Sequence, residues 1–136
     1  MAGYSATPLA KKLGIKPGFK MRLINASDHY FDLFTDMPSD VQLLNDKKSK
    51  KNFIHFFAKD VKTYEAHVHD LKNEIEQDGM IWVSWYKKSS KISTDLTEDI
   101  IRNTALSIGL VDVKVCAVDD VWSGLKLVIP IKNRTA

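Results

Sequence analysis

The chain has a single cysteine, Cys116, so no internal disulfide can form, and the composition suits a reducing compartment. It has no apolar run near the roughly 20 residues that a bilayer-spanning helix needs. The opening Met1-Ala2-Gly3-Tyr4-Ser5 lacks both the basic and the apolar region of a secretory signal, and Ala2 stands where N-myristoylation requires glycine. A cytoplasmic protein without membrane attachment is expected. Neither sign of charge dominates, and a net charge of +3 permits an anionic partner without demanding one. No G-x-S-x-G elbow occurs, so the hydrolase arrangement that activates a serine is missing. Glycine is also absent from one informative place, the turn Asn25-Ala26-Ser27-Asp28-His29 after the first strand. In doubly wound α/β domains, glycines there let the backbone approach a pyrophosphate or a methionine-derived cofactor. Asp28 further places a negative charge where a phosphate would arrive. No nicotinamide or S-adenosylmethionine cofactor is expected.

What is present is enough for a core: 44% of the 136 residues are hydrophobic, a size that suits one domain over 1–136. Thr7 and Pro8 read as the cap and first residue of a short helix that stops at Gly14. A first strand follows over 19–24, then a helix over 28–36 carrying Tyr30, Phe31 and Phe34 and ended by Pro38, then a brief strand over 41–44 and a loop over 45–52. The runs 53–58 and 80–85 are nearly continuously apolar, the pattern of strands covered on both faces. Between them, Asp60 caps a helix whose Val61, Tyr64, Val68, Leu71 and Ile75 recur at steps of three and four, with Asp78-Gly79 as its stop. A second amphipathic helix runs over 96–107, with Asp95 and Glu98 as its capping pair. The segment 111–118 alternates valines with Asp112, Lys114 and Cys116 and reads as an edge strand; 125–129 is more uniformly apolar and lies further in.

A short turn through Asp119-Asp120 joins these last two as an antiparallel hairpin. The whole predicts a Rossmann-like α/β three-layer domain of methyltransferase type. Its six-stranded sheet is expected to be mostly parallel, in the order 2-1-3-4-6-5, with only the last strand reversed. The link between the second and third strands is too short for a helix, so one unit of the full fold is missing. Lys20 and Arg22 share one side of the first strand and are expected to extend to solvent.

Several long words in the chain point further. Gly3-Tyr4-Ser5 with residues 7–14, Trp82-Val83-Ser84-Trp85, Lys87-Lys88, residues 94–99, residues 109–119 and Val121-Trp122-Ser123-Gly124-Leu125 together resemble a bacterial family known only as domain of unknown function 3052. The resemblance covers almost the whole chain except 26–52. It implies a stand-alone cytoplasmic Rossmann-like domain and brings no activity, cofactor or catalytic residue.

The best candidate site is the segment 85–98, which leaves the carboxyl end of a central strand, where open α/β sheets bind their ligands. It brings Trp85, Lys87, Lys88, Thr94 and Thr97 together with Lys91 and the first amides of a helix. Such a set holds a small anionic or polar ligand. Other clusters read as structure. Asp119-Asp120 offers too few oxygens for a cation. His67 and His69 point apart on a helix, and His29 and His55 stand alone, so no metal site is expected. Cys116 has no base nearby in sequence. Lys47, Lys48, Lys50 and Lys51 crowd one loop, but no aromatic residues interleave with them as a nucleic-acid platform requires.

These readings favour a non-catalytic binding or interaction module. The alternatives are a small transferase with a cofactor site rebuilt from Asp46 and residues near Trp85, or a weak nucleic-acid binder through Lys47–Lys51. A protein partner or a homo-oligomer is compatible with all three.

Overall fold

A computed structural model describes residues 7–135 of the chain; the Met1–Ser5 opening and the Gly3-Tyr4-Ser5 word lie outside the described residues. The elements are α1 (Leu9–Leu13), β1 (Lys20–Ile24), β2 (Gln42–Leu43), β3 (Lys51–Phe57), α2 (Val61–Leu71), β4 (Ile75–Tyr86), α3 (Glu98–Ser107), β5 (Val111–Ala117) and β6 (Trp122–Val128). Among the described residues the six strands form one sheet in the order β2-β1-β3-β4-β6-β5, as expected. The sheet is mixed and not mostly parallel. Its β1–β2, β1–β3 and β3–β4 pairings are parallel, while β4–β6 and β5–β6 are antiparallel. One reversed strand in an interior position makes both of its pairings antiparallel.

Alternation along the strands sorts side chains onto two faces. Ile54, Phe56, Ile81, Val83, Leu125 and Leu127 pack under α2 and α3, which contribute Tyr64, Val68, Leu71, Ile101 and Ala105. Met21, Phe53, Phe57, Met80 and Trp82 face the other way, under Ala10 and Leu13 of α1 and Tyr30. The two layers are pinned by polar contacts as well. The indole of Trp82 donates to Leu13 O at 2.8 Å, and the Tyr64 hydroxyl donates to Ile101 O at 2.8 Å.

Several local expectations give way to longer-range partners. The first amides of α1 are held by Asp36, which accepts from Ala10 N and Lys11 N at 2.9 Å, while Pro8 at the cap makes no side-chain bond. The helix expected over 28–36 is a single 3-10 turn, Tyr30–Leu33. α2 ends at Leu71 instead of running on to Ile75, and Ile75 already pairs with Lys51 in the sheet. Glu74 explains the early stop. It takes a two-oxygen bond from Arg22 (2.6 and 2.8 Å) and another from Lys51 (3.0 Å) in a buried cluster. Arg22 therefore turns inward and not to solvent. Gly79 is no helix cap: a Cβ there would lie 3.0 Å from Lys51 O, where the bulged start of β4 crosses β3.

Candidate functional site

β4 delivers the chain to its carboxyl end at Tyr86, and residues 87–97 fold back across that end. Local bonds fix the path. Lys87 N donates to Val121 O at 2.8 Å, and Ser90 Oγ donates to Lys87 O at 2.6 Å. Lys91 closes a 3-10 turn with φ of 61°, a left-handed backbone that costs a side-chain-bearing residue about 1–2 kcal/mol. Thr94 Oγ1 then donates to Lys59 O at 2.6 Å and accepts from Leu96 N, while Asp95 accepts from Val61 N at 2.9 Å. The loop is thus sewn onto the β3–α2 turn. The space it encloses is a cleft of about 910 Å³.

Trp85, Lys87, Lys88, Thr94 and Thr97 all line this cleft, as do Lys91, Ser93 and Ser123. Their hydroxyls and rings are not equally available. Thr94 is spent on Lys59 O and Leu96 N, so it positions the loop. Thr97 is the true cap of α3, accepting from Ile100 N at 3.2 Å. Trp85 rests partly on the α2–α3 core. The expected Asp95–Glu98 capping pair does not form. Asp95 reaches α2, and Glu98 and Asp99 both pair with Arg102, which also holds Asp112. The Asp112 and Glu98 bonds raise the Arg102 pKa and keep it cationic. Neither acidic side chain therefore competes for the amides at the start of α3.

Strand order reverses between β1 and β3, and the crevice beyond that switch point is the usual ligand seat in open α/β sheets. Here it is narrowed. Asn25, with φ of 60°, supplies the left-handed residue that glycine would otherwise provide, and its side-chain amide donates to Phe57 O across the gap at 3.4 Å. The lack of an α-helix after this turn removes the N-terminus that Asp28 was expected to shield; Asp28 is simply exposed. Tyr30, which follows the turn, buries its ring edge-on against His55 and Phe57. A cavity of about 510 Å³ remains, walled by Phe57, Trp122 and Tyr86 with Asn25, Lys59 and Thr63. Tyr86 and Trp122 stack with ring centres 4.4 Å apart.

Beneath these walls lies a polar row that the strand pattern alone concealed. His55 bonds Tyr30 Oη through Nδ1 at 2.9 Å and Ser84 Oγ through Nε2 at 2.7 Å, all three buried. Burial lowers the His55 pKa to about 3 and raises that of the Tyr30 hydroxyl. The order Ser–His–Tyr has the look of a nucleophile and base, but Ser84 is fully enclosed, and the row serves to lock the core. A lone histidine inside the apolar run 53–58 was its one sequence signal.

The remaining clusters are structural. Asp119 accepts from Val121 N and Trp122 N at 2.8 Å, which makes the hairpin turn, and Trp122 is the first residue of β6. Gly124 is set by packing, since a Cβ would come within 3.0 Å of Trp82. Burial raises the Cys116 thiol, which suits a packing residue. No group of His, Cys, Asp or Glu among the described residues is placed to hold a metal. Asp46 accepts from Ser49 N at 2.7 Å and folds its own loop. Lys51 belongs to β3 and is buried on Glu74, and Lys50 donates to Asn73 O, so the expected basic loop is reduced to Lys47 and Lys48. No helix among the described residues is long and apolar enough to cross a membrane.

No protein-family model matches the chain, and no curated protein does. Solved structures do share the fold. A putative type 11 methyltransferase from Sulfolobus solfataricus superposes with a TM-score of 0.63 at 14% identity, covering 94% of this chain and 93% of its own. Ribosomal protein L11 methylase from Lactobacillus delbrueckii subsp. bulgaricus gives 0.57 at 9% identity, covering 93% and 74%. Magnesium protoporphyrin IX methyltransferase from Synechocystis PCC 6803, solved with bound SAM, gives 0.56 at 11%, covering 88% and 74%. At these identities the likeness establishes a Rossmann-like, methyltransferase-like frame.

Proposed function

We propose that this chain is a cytoplasmic binding module, one domain over 1–136, which holds a small anionic or polar ligand in the cleft after β4 and performs no chemistry on it. The observation that carries this reading is the cleft itself. About 910 Å³ lies at the carboxyl end of a central strand, with Lys87, Lys88 and Lys91 on its wall. That volume falls within the range of about 300–1,000 Å³ typical of small-molecule sites. The switch-point crevice supports the same view, because Asn25 occupies the turn where a bound cofactor would meet backbone amides and spends its side chain on Phe57 O. The word-like matches to domain of unknown function 3052 favour kinship with that family.

Titration calorimetry with inorganic phosphate is the direct test. Wild type should bind, and Lys87→Ala with Lys88→Ala should weaken binding while stability stays within about 0.5 kcal/mol. Unchanged affinity in the double variant would remove the site.

A transferase is the second reading, and one observation favours it. Tyr86 lines both the cleft and the switch-point cavity, so a donor in one would meet an acceptor in the other. The methyltransferases that share the fold make S-adenosylmethionine the donor to try. At a hundred times its dissociation constant a ligand stabilises a fold by about 2.7 kcal/mol, so thermal shift separates the two readings. The binding-module reading expects no shift with S-adenosylmethionine.

A further inference from the structure

The cleft continues past Tyr86. A third cavity of about 550 Å³ shares Tyr86, Ser93 and Thr94 with the large cleft. It shares Lys59 and Tyr86 with the switch-point cavity. Together the three make one groove along the carboxyl edge of the sheet, and its chemistry changes along its length. The β1 end is aromatic, with Phe57, Tyr86 and Trp122 and a single flanking cation, Lys59. The middle carries Asp60, Asp95 and Ser93. The α3 end carries Lys87, Lys88 and Lys91, with Glu98 and Asp99 on the same wall but paired to Arg102. The two middle carboxylates already accept Thr63 N and Val61 N, so they are held in place with oxygen lone pairs to spare.

We infer that the groove takes a nucleoside 5′-monophosphate, with its base against Phe57, Tyr86 and Trp122, its sugar hydroxyls on Asp60 and Asp95, and its phosphate on Lys87, Lys88 and Lys91. The inference rests on the reading of the cleft given above and adds what lies beyond Tyr86. Each compartment asks for one part of that molecule. Aromatic walls accept a planar base of any identity, since every base has a π face. Anchored carboxylates accept hydrogen bonds from hydroxyls and repel a second anion. Lysines neutralise a phosphate as point charges. An inorganic anion would leave the aromatic end unused, and an aromatic compound without a charge would leave the lysines unused.

Calorimetry on the full chain with three probes tests this: adenosine 5′-monophosphate, adenosine and inorganic phosphate. The monophosphate should bind at least about tenfold more tightly than phosphate, the gain expected from stacking one base, and more tightly than adenosine through its lysine contacts. Lys87→Ala with Lys88→Ala should bring the monophosphate down to the affinity of adenosine. Tyr86→Leu should bring it down to that of phosphate, and Lys59→Trp, which fills the aromatic end from an exposed position, should do the same if the Tyr86 variant does not fold. Equal affinity for phosphate and the monophosphate would overturn the inference and leave the cleft reading standing. Equal affinity for adenosine and the monophosphate, unmoved by the lysine changes, would overturn both. Binding of none of the three would also overturn both.

Discussion

Asp95 Oδ1 accepts the backbone N–H of Val61 at 2.9 Å, so a carboxylate that precedes α3 in sequence caps α2 instead. Asp60 takes the amide of Thr63 two residues further on. Two acids from separate loops therefore share one helix start, and their bond fastens the cleft loop to the β3–α2 turn.

Replacing Asp95 with Ala should cost about 1 kcal/mol, the usual loss of a helix cap. Urea denaturation would give the loss, and amide exchange should show Val61 opening faster. An unchanged urea midpoint would mean that solvent serves this amide as well as Asp95 does.

Acid should weaken the fold through His55. Its pKa is about 3 in the folded chain, against about 6.5 when unfolded, so only the unfolded state takes up a proton between those values. The contribution is complete above pH 6.5 and is lost progressively as pH falls toward 3. Between pH 6.5 and pH 5 the loss should be on the order of 1–2 kcal/mol. Denaturation at both pH values on wild type and His55→Gln should show the variant less stable at neutral pH but flatter in its response. A parallel slope in the two would place the acid sensitivity elsewhere.

The buried charges at the opposite end of the sheet should be unforgiving. Glu74→Ala leaves Lys51 enclosed without its counter-ion, and breaking such a pair costs about 3–5 kcal/mol. Reversing Lys47 and Lys48 to Glu should stay within about 0.5 kcal/mol, because both are exposed. Chemical denaturation of the two variants side by side would test the contrast, and a mild effect of Glu74→Ala would show that water reaches Lys51.

The sheet order, the buried pair β3 and β4, the final hairpin and the position of the cleft were all legible in the sequence. Each depends on a repeat of apolar residues a few positions apart, or on a turn between adjacent strands. Such signals are local because alternation and helical periodicity report only which side of an element is dry. The same logic overran at Ile75 and at 28–36. Apolar spacing there fits a helix, yet Glu74 is drawn to Arg22 and Tyr30 to His55.

The sequence by itself determined which segments must be covered on both faces and therefore where strands end and a cleft can open. Only the tertiary structure decided who bonds to whom. Asp36 caps α1, Asp95 caps α2, Lys51 leaves its basic loop for Glu74, and Asn25 takes a left-handed backbone beside Phe57. These partners lie 23 to 34 residues apart in the chain. A polar side chain will accept any suitable donor within reach, and reach is set by packing, which local spacing does not encode.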